Sequence, residues 1–252
     1  MNYGSLPNEL NDFLIWLKQR SEEVWSEYQT PSLEDFRRAR YLGSDWKQGT
    51  KWLSGFSDAE IDSFEQTWNL RFPADYRLFL RLLGAPDRSM VTAGYRGRDM
   101  VQGECPSFYH WGADVEAIQY AMASPLEGLL FDVENNVLWL DSWGVRPNDV
   151  EGRRQRLSEL IQGAPPLIPI IGHRYLVGTP VKAGNPVLSV HQSDIIFYGS
   201  DLRKFLITEL SDLLEINHEE AYQKAVEEIT ETSYTNIPFW GEIMLSWWQA
   251  ES

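Results

Sequence analysis

The chain has 252 residues, 43% hydrophobic and 23% charged, with a formal net charge of −15. This composition suits a globular fold with a sizeable core and excludes long disorder. A chain this acidic repels a phosphate backbone overall, which argues against direct nucleic-acid binding and favours a basic protein partner, although acidity also serves solubility.

Apolar residues at Leu10, Phe13, Leu14, Leu17, Val24 and Tyr28 recur at helical spacing, so a helix is expected over Glu9 to Tyr28. Pro31 stops it. Ser32 followed by Asp35 resembles a helix N-cap, and a short helix from Leu33 to Leu42 ends at Gly43. Ser57 and Glu60 form a capping box for a helix carrying Ile61, Phe64 and Trp68. Phe72-Pro73 breaks that helix, and a second begins at Ala74-Asp75 with Tyr76, Phe79, Leu80 and Leu83 inward before Gly84.

Residues 85–112 lack sustained periodicity and read as loop with at most one short strand. Val115 to Ala123 reads as helix. Gly128 to Phe131 and Val137 to Leu140 are apolar runs around the polar stretch Asp132 to Asn136, a pattern that predicts a hairpin. Asn148 to Gln162 is helical. Leu167–Ile171, Arg174–Val177, Val187–Val190 and Ile195–Tyr198 are strands separated by Gly, Asn and Asp turns. Helices follow from Leu202 to about Leu214 and from His218 to about Thr230. The tail from Ile237 to Trp248 is rich in apolar residues and holds Phe239, Trp240, Trp247 and Trp248. Strands joined by short turns, with helices before and after, predict an α+β fold. The expected architecture is a single domain with a mainly antiparallel sheet packed against helices, plus N- and C-terminal helical extensions.

A search for chemistry returns little. His110, His173, His191 and His218 are scattered, with no metal-ligand spacing among them, so neither metal nor cofactor is expected. Gly-x-Ser-x-Gly and the phosphate-binding glycine motifs are absent. Gly94-Tyr95-Arg96-Gly97-Arg98 has two arginines suited to a phosphate or carboxylate, but a solvated loop is the favoured reading. Asp132, Glu134 and Asp141 allow a glycosidase-like pair; a charged hairpin tip is the plainer reading. The lone Cys105 has Glu104 beside it, which disfavours a thiolate, and one thiol makes no internal disulfide. The N-terminus lacks a basic segment followed by an apolar run, and no stretch approaches bilayer-spanning length, so the cytoplasm is the expected location. The sequence is therefore not expected to encode an enzyme.

Phe56 to Glu65, followed by Leu70-Arg71-Phe72-Pro73-Ala74-Asp75-Tyr76-Arg77-Leu78-Phe79-Leu80 and then Gly84, resembles the first block of the SUKH superfamily, which includes Smi/Knr-type cell-wall regulators and bacterial immunity proteins. A second block is similar to the later strands of that family: Leu167 to Ile170, His173 to Leu176, Gly184 to Val190, Asp194 to Gly199, and then Phe205-Leu206. The resemblance implies a SUKH-like domain over 50–212, with helical extensions at 1–49 and 213–252. It also implies a non-catalytic protein-binding module of the immunity type, with a basic toxin domain, such as a nuclease, as its partner. A regulatory scaffold for an endogenous partner is the alternative.

With 11 Trp, 11 Tyr and 11 Phe, the chain has aromatics for both core and contact surface. The expected partner surface combines Asp132, Glu134, Asp141 and Trp143 around the hairpin with Tyr95, Tyr109 and Trp111.

Overall fold

A computed structural model describes residues 3–135 and 138–250. The elements run α1 (Leu10–Glu27), α2 (Leu33–Ala39), β1 (Gly43–Asp45), α3 (Asp58–Trp68), α4 (Ala74–Leu82), β2 (Met90–Arg96), β3 (Asp99–Cys105), α5 (Val115–Asn135), α6 (Val150–Gly163), β4 (Leu167–Ile171), β5 (Arg174–Val177), β6 (Val187–His191), β7 (Asp194–Gly199), α7 (Leu202–Glu209), α8 (His218–Val226), α9 (Glu231–Thr235) and α10 (Trp240–Ala250). Both sheets are antiparallel, one ordered β1-β2-β3 and the other β4-β5-β6-β7, so the fold is α+β.

The four-stranded sheet separates two cores, because alternate residues on a strand point to opposite faces. Tyr175, Leu188, Val190, Ile195 and Phe197 face a core with Leu129, Val133, Leu157, Trp240 and Ile243 from α5, α6 and α10. Ile168, Leu176 and Val187 face the other, larger core, built from α1, α3, α4 and α7. The segment expected as an N-terminal extension, 1–49, contributes α1 to that larger core: Phe13, Leu14, Leu17 and Trp25 are fully buried in it. The side chains of Trp247 and Trp248 lie outside the described residues.

The α3–α4 joint has a clear physical basis. Ser57 and Glu60 form the expected capping box. Pro73 precedes α4, and the buried carboxylate of Glu65 accepts the Phe72 N–H at 2.7 Å across the joint while Arg71 and Arg77 neutralise it. Asp75 accepts from its neighbour Tyr76 N–H at 2.9 Å and from Gly184 N–H at 2.8 Å, tying α4 to the loop between β5 and β6. Burial raises the Asp75 pKa against these hydrogen bonds.

Two expectations are overturned. The segment 85–112 contains a regular hairpin, β2–β3, paired from Met90↔Cys105 to Arg96↔Asp99. The β3 strand is exposed along most of its length, so no in-out hydrophobic alternation marks it. The hairpin expected over 128–140 does not form. Instead α5 continues to Asn135, and Leu138–Leu140 are not in a strand; Asn136 and Val137 lie outside the described residues. Gly128 and Asp132, four residues apart and so on one helix face, dock α5 on the β6–β7 turn. A Cβ at Gly128 would lie 2.9 Å from the Gln192 Cα, and Asp132 accepts from the Ser193 N–H at 2.8 Å and from its hydroxyl. Pro125 sits inside this helix without a donor for the carbonyl four residues back. That carbonyl, Ala121 O, accepts instead from the Tyr175 hydroxyl at 2.8 Å.

Candidate functional site

The residues expected to form a partner surface are not brought together. Trp111 and Trp143 are fully buried and Tyr109 nearly so. The Trp111 indole donates to the Tyr76 hydroxyl at 2.8 Å, and the Tyr109 hydroxyl donates to the Gly172 carbonyl at 3.3 Å. Asp132 is buried at the β6–β7 turn. Glu134 is exposed but engaged with Arg153 through both carboxylate oxygens. Asp141 is exposed in the short helical turn Asp141–Trp143, and Tyr95 is exposed near the tip of the β2–β3 hairpin. The aromatics in this set, apart from Tyr95, fill core: Trp111 and Tyr109 find polar partners inside, and Trp143 stacks on Phe239 with ring centroids 5.7 Å apart.

The Cys105 neighbourhood is a shallow pocket of about 340 Å³ that also includes Ser107, His110 and Asp114. It lacks the arrangement of a nucleophile with its base. Burial pushes the Cys105 thiol up, away from thiolate. The Asp114 carboxylate accepts from the His110 backbone N–H at 2.8 Å, and His110 Nδ1 accepts from Gly112 N–H at 3.2 Å. Among the described residues no group of three His, Cys, Asp or Glu is placed to hold a metal ion, and no helix is long and apolar enough to cross a membrane.

A larger cleft of about 590 Å³ lies where three distant parts of the chain meet. The N-terminal segment provides Val24 and Tyr28 from α1, then Tyr41, Asp45 and Trp46. The β4–β5 turn provides His173 and Arg174. The end of α7 and the turns after it provide Glu209, Asp212 and Glu215. Apolar floor, aromatic wall and carboxylate rim thus share one concavity, with four carboxylates and a single guanidinium in its lining. Sequence reading missed this set because its members are separated by up to about 190 positions and no local spacing links them.

Each polar group in the cleft has a cause for its position. The Tyr28 hydroxyl donates to Asp45 Oδ1 at 2.5 Å, and burial together with that carboxylate raises the tyrosine pKa. Arg174 opens β5 and turns onto the larger-core face of the sheet. Its Nε donates to Glu209 at 3.2 Å, its Nη1 donates to Ser189 Oγ at 2.6 Å, and its guanidinium carbon lies 3.7 Å from the Tyr198 ring centroid. Burial raises the Glu209 pKa, and Arg174 opposes that shift. Arg174 Nη1 also donates to His173 Nε2. His173 and His191 stand 6.4 Å apart edge to face, so desolvation, Arg174 and His191 together lower the His173 pKa. Glu215 pairs with Arg20 at 3.0 Å. Asp212 is exposed at the rim, and its backbone carbonyl accepts from the Glu215 N–H at 3.2 Å.

Chemically, the cleft suits a cation. Tyrosine and tryptophan faces attract ammonium and guanidinium groups, carboxylates supply charge-assisted acceptors, and the apolar floor accommodates an aliphatic stem. Comparison with known proteins adds no relative: no family model, no curated protein and no solved structure matches the chain.

Proposed function

We propose that this chain is a non-catalytic protein-binding module that masks a basic partner, and that the acid- and aromatic-lined cleft anchors a lysine or arginine side chain of that partner. The observation that carries the reading is the cleft itself, with carboxylates at its rim, Tyr28, Tyr41 and Trp46 in its wall, and a chain charge of −15 behind it. Such charge steers a cationic partner on approach, while the aromatic wall and carboxylates hold it after docking. The resemblance to the SUKH superfamily supports the immunity version of this reading, with a basic toxin domain, such as a nuclease, as partner.

The test is co-expression with the products of the genes flanking its own. One of these is expected to arrest growth alone and to be neutralised by this chain, with the purified pair binding in isothermal titration. Asp212→Lys is expected to weaken binding at least about tenfold, because it places a like charge in the anchor. Glu116→Lys changes the net charge equally on a remote exposed helix start and is expected to leave affinity within about twofold. Equal losses in both variants would remove the cleft as the anchor. A flanking product that is toxic but not neutralised, or the absence of any toxic one, would overturn the immunity reading.

A further inference from the structure

We infer that His173 is a proton-operated latch on Arg174 at the mouth of the cleft: neutral, it holds the guanidinium; protonated, it releases it and turns a second positive charge toward the carboxylate rim. The argument rests on donor and acceptor identity. A guanidinium has only donors, so the His173 Nε2 that faces Arg174 Nη1 must be the unprotonated nitrogen, with the ring proton on Nδ1. Protonation makes Nε2 a donor as well, and two donors cannot share that contact. The turn that bears His173 can yield, because the residue is exposed and follows Gly172, whose φ of 51° already sets a tight reversal.

The charged and titratable surroundings act in two directions. Arg174 on β5 and His191 at the end of β6 disfavour the histidine cation, and Asp194 of β7 pairs with His191 in strand register. Across the cleft stand Glu209 of α7, Asp212 and Glu215 beyond it, and Asp45 of β1, with the Tyr28, Tyr41 and Tyr109 phenols around them. A protonated His173 freed from Arg174 therefore has carboxylates to turn toward. Arg174 keeps Glu209, Ser189 and the Tyr198 face, so it is retained in a changed hydrogen-bond pattern. The added positive charge would lower the affinity of the cleft for a cationic side chain. Only that last consequence rests on the proposed function; the latch itself does not.

The experiment is an NMR comparison of the full chain, reading the Arg174 Nε–Hε cross-peak and the histidine ring Cε1–Hε1 signals from pH 8 down to pH 3, a range that spans the His173 value of about 4. The Arg174 signal is expected to move with the His173 ring, in a step centred below the ordinary histidine value of about 6.5. His173→Lys, a fixed donor and cation, is expected to give a displaced Arg174 signal at pH 7.5. His173→Gln, whose amide can present an acceptor at any pH, should keep the native position there and lose the step. Glu209→Gln separates the other titratable partner: the step coupled to His173 should survive it. An Arg174 signal unchanged in His173→Lys, or a step that persists in His173→Gln and vanishes in Glu209→Gln, would overturn the latch. Because His173 is an exposed turn residue, all its variants are expected to fold, and amide dispersion verifies this.

Discussion

Single side chains here decide where whole elements sit, and Asp132 is the clearest case. It joins α5 to the β6–β7 turn by accepting twice from Ser193, both residues being buried. Asp132→Ala strips Ser193 of a charged acceptor and is expected to cost about 2–3 kcal/mol in urea denaturation, whereas Asp132→Asn, which keeps an acceptor, should cost less. In the sequence this same residue reads as a solvated carboxylate at a hairpin tip. Nothing local distinguishes an acid that meets water from one that meets a backbone N–H 61 positions away. The same holds for Trp111, which donates to Tyr76 of α4, and for Trp143, which stacks on Phe239 nearly 100 positions away. Glu65 behaves likewise, since its role at the α3–α4 joint depends on Phe72 and Arg77 coming close after Pro73 turns the chain.

At the scale of elements, α3 shows how local signals survive folding. Its capping box satisfies backbone donors that the helix itself cannot, so Ser57→Ala is expected to lower stability by about 1 kcal/mol, read as a fall in thermal midpoint. Elements with such terminal signals, with apolar residues at helical spacing, or with apolar runs between turn residues were legible in the sequence: α1 to α4, α6 to α8 and β4 to β7. Elements without them were not. The β2–β3 hairpin is exposed on much of β3, leaving no buried face to impose alternation. The later part of α5 fails for the opposite reason. Gly128–Phe131 is a short apolar run, which periodicity alone cannot assign to helix or strand, and Pro125 conceals the continuity. The helical stripe emerges only when Ile118, Ala121, Leu129 and Val133 are read together, and its tolerance of proline depends on Tyr175 supplying the missing donor. The cleft was not legible at all, because it has no local pattern to read.

For the whole molecule, the four-stranded sheet lies between two apolar cores and forms the most protected layer. Native-state hydrogen exchange is expected to place the amides of the inner strands β5 and β6 among the last to exchange, near the free energy of global unfolding. Amides of β3, an outer strand of the smaller sheet, should open at lower free energy. Uniform protection across both sheets would contradict that ordering. The larger core also joins chain segments made at very different times. Fully buried residues of α1 pack in the same core as α7, Arg203 donates to the Pro7 carbonyl at 2.8 Å, and Arg20 reaches Glu215 at 3.0 Å. During synthesis from the N-terminus, the apolar stripe of α1 is complete before its partners near residue 200 leave the ribosome. At typical elongation rates of about 5–20 residues per second, that interval lasts roughly ten to forty seconds. The nascent chain must therefore shelter Phe13, Leu14, Leu17 and Trp25 by transient collapse or by a chaperone, and the cleft, built from the same two ends, comes into being only when that wait is over.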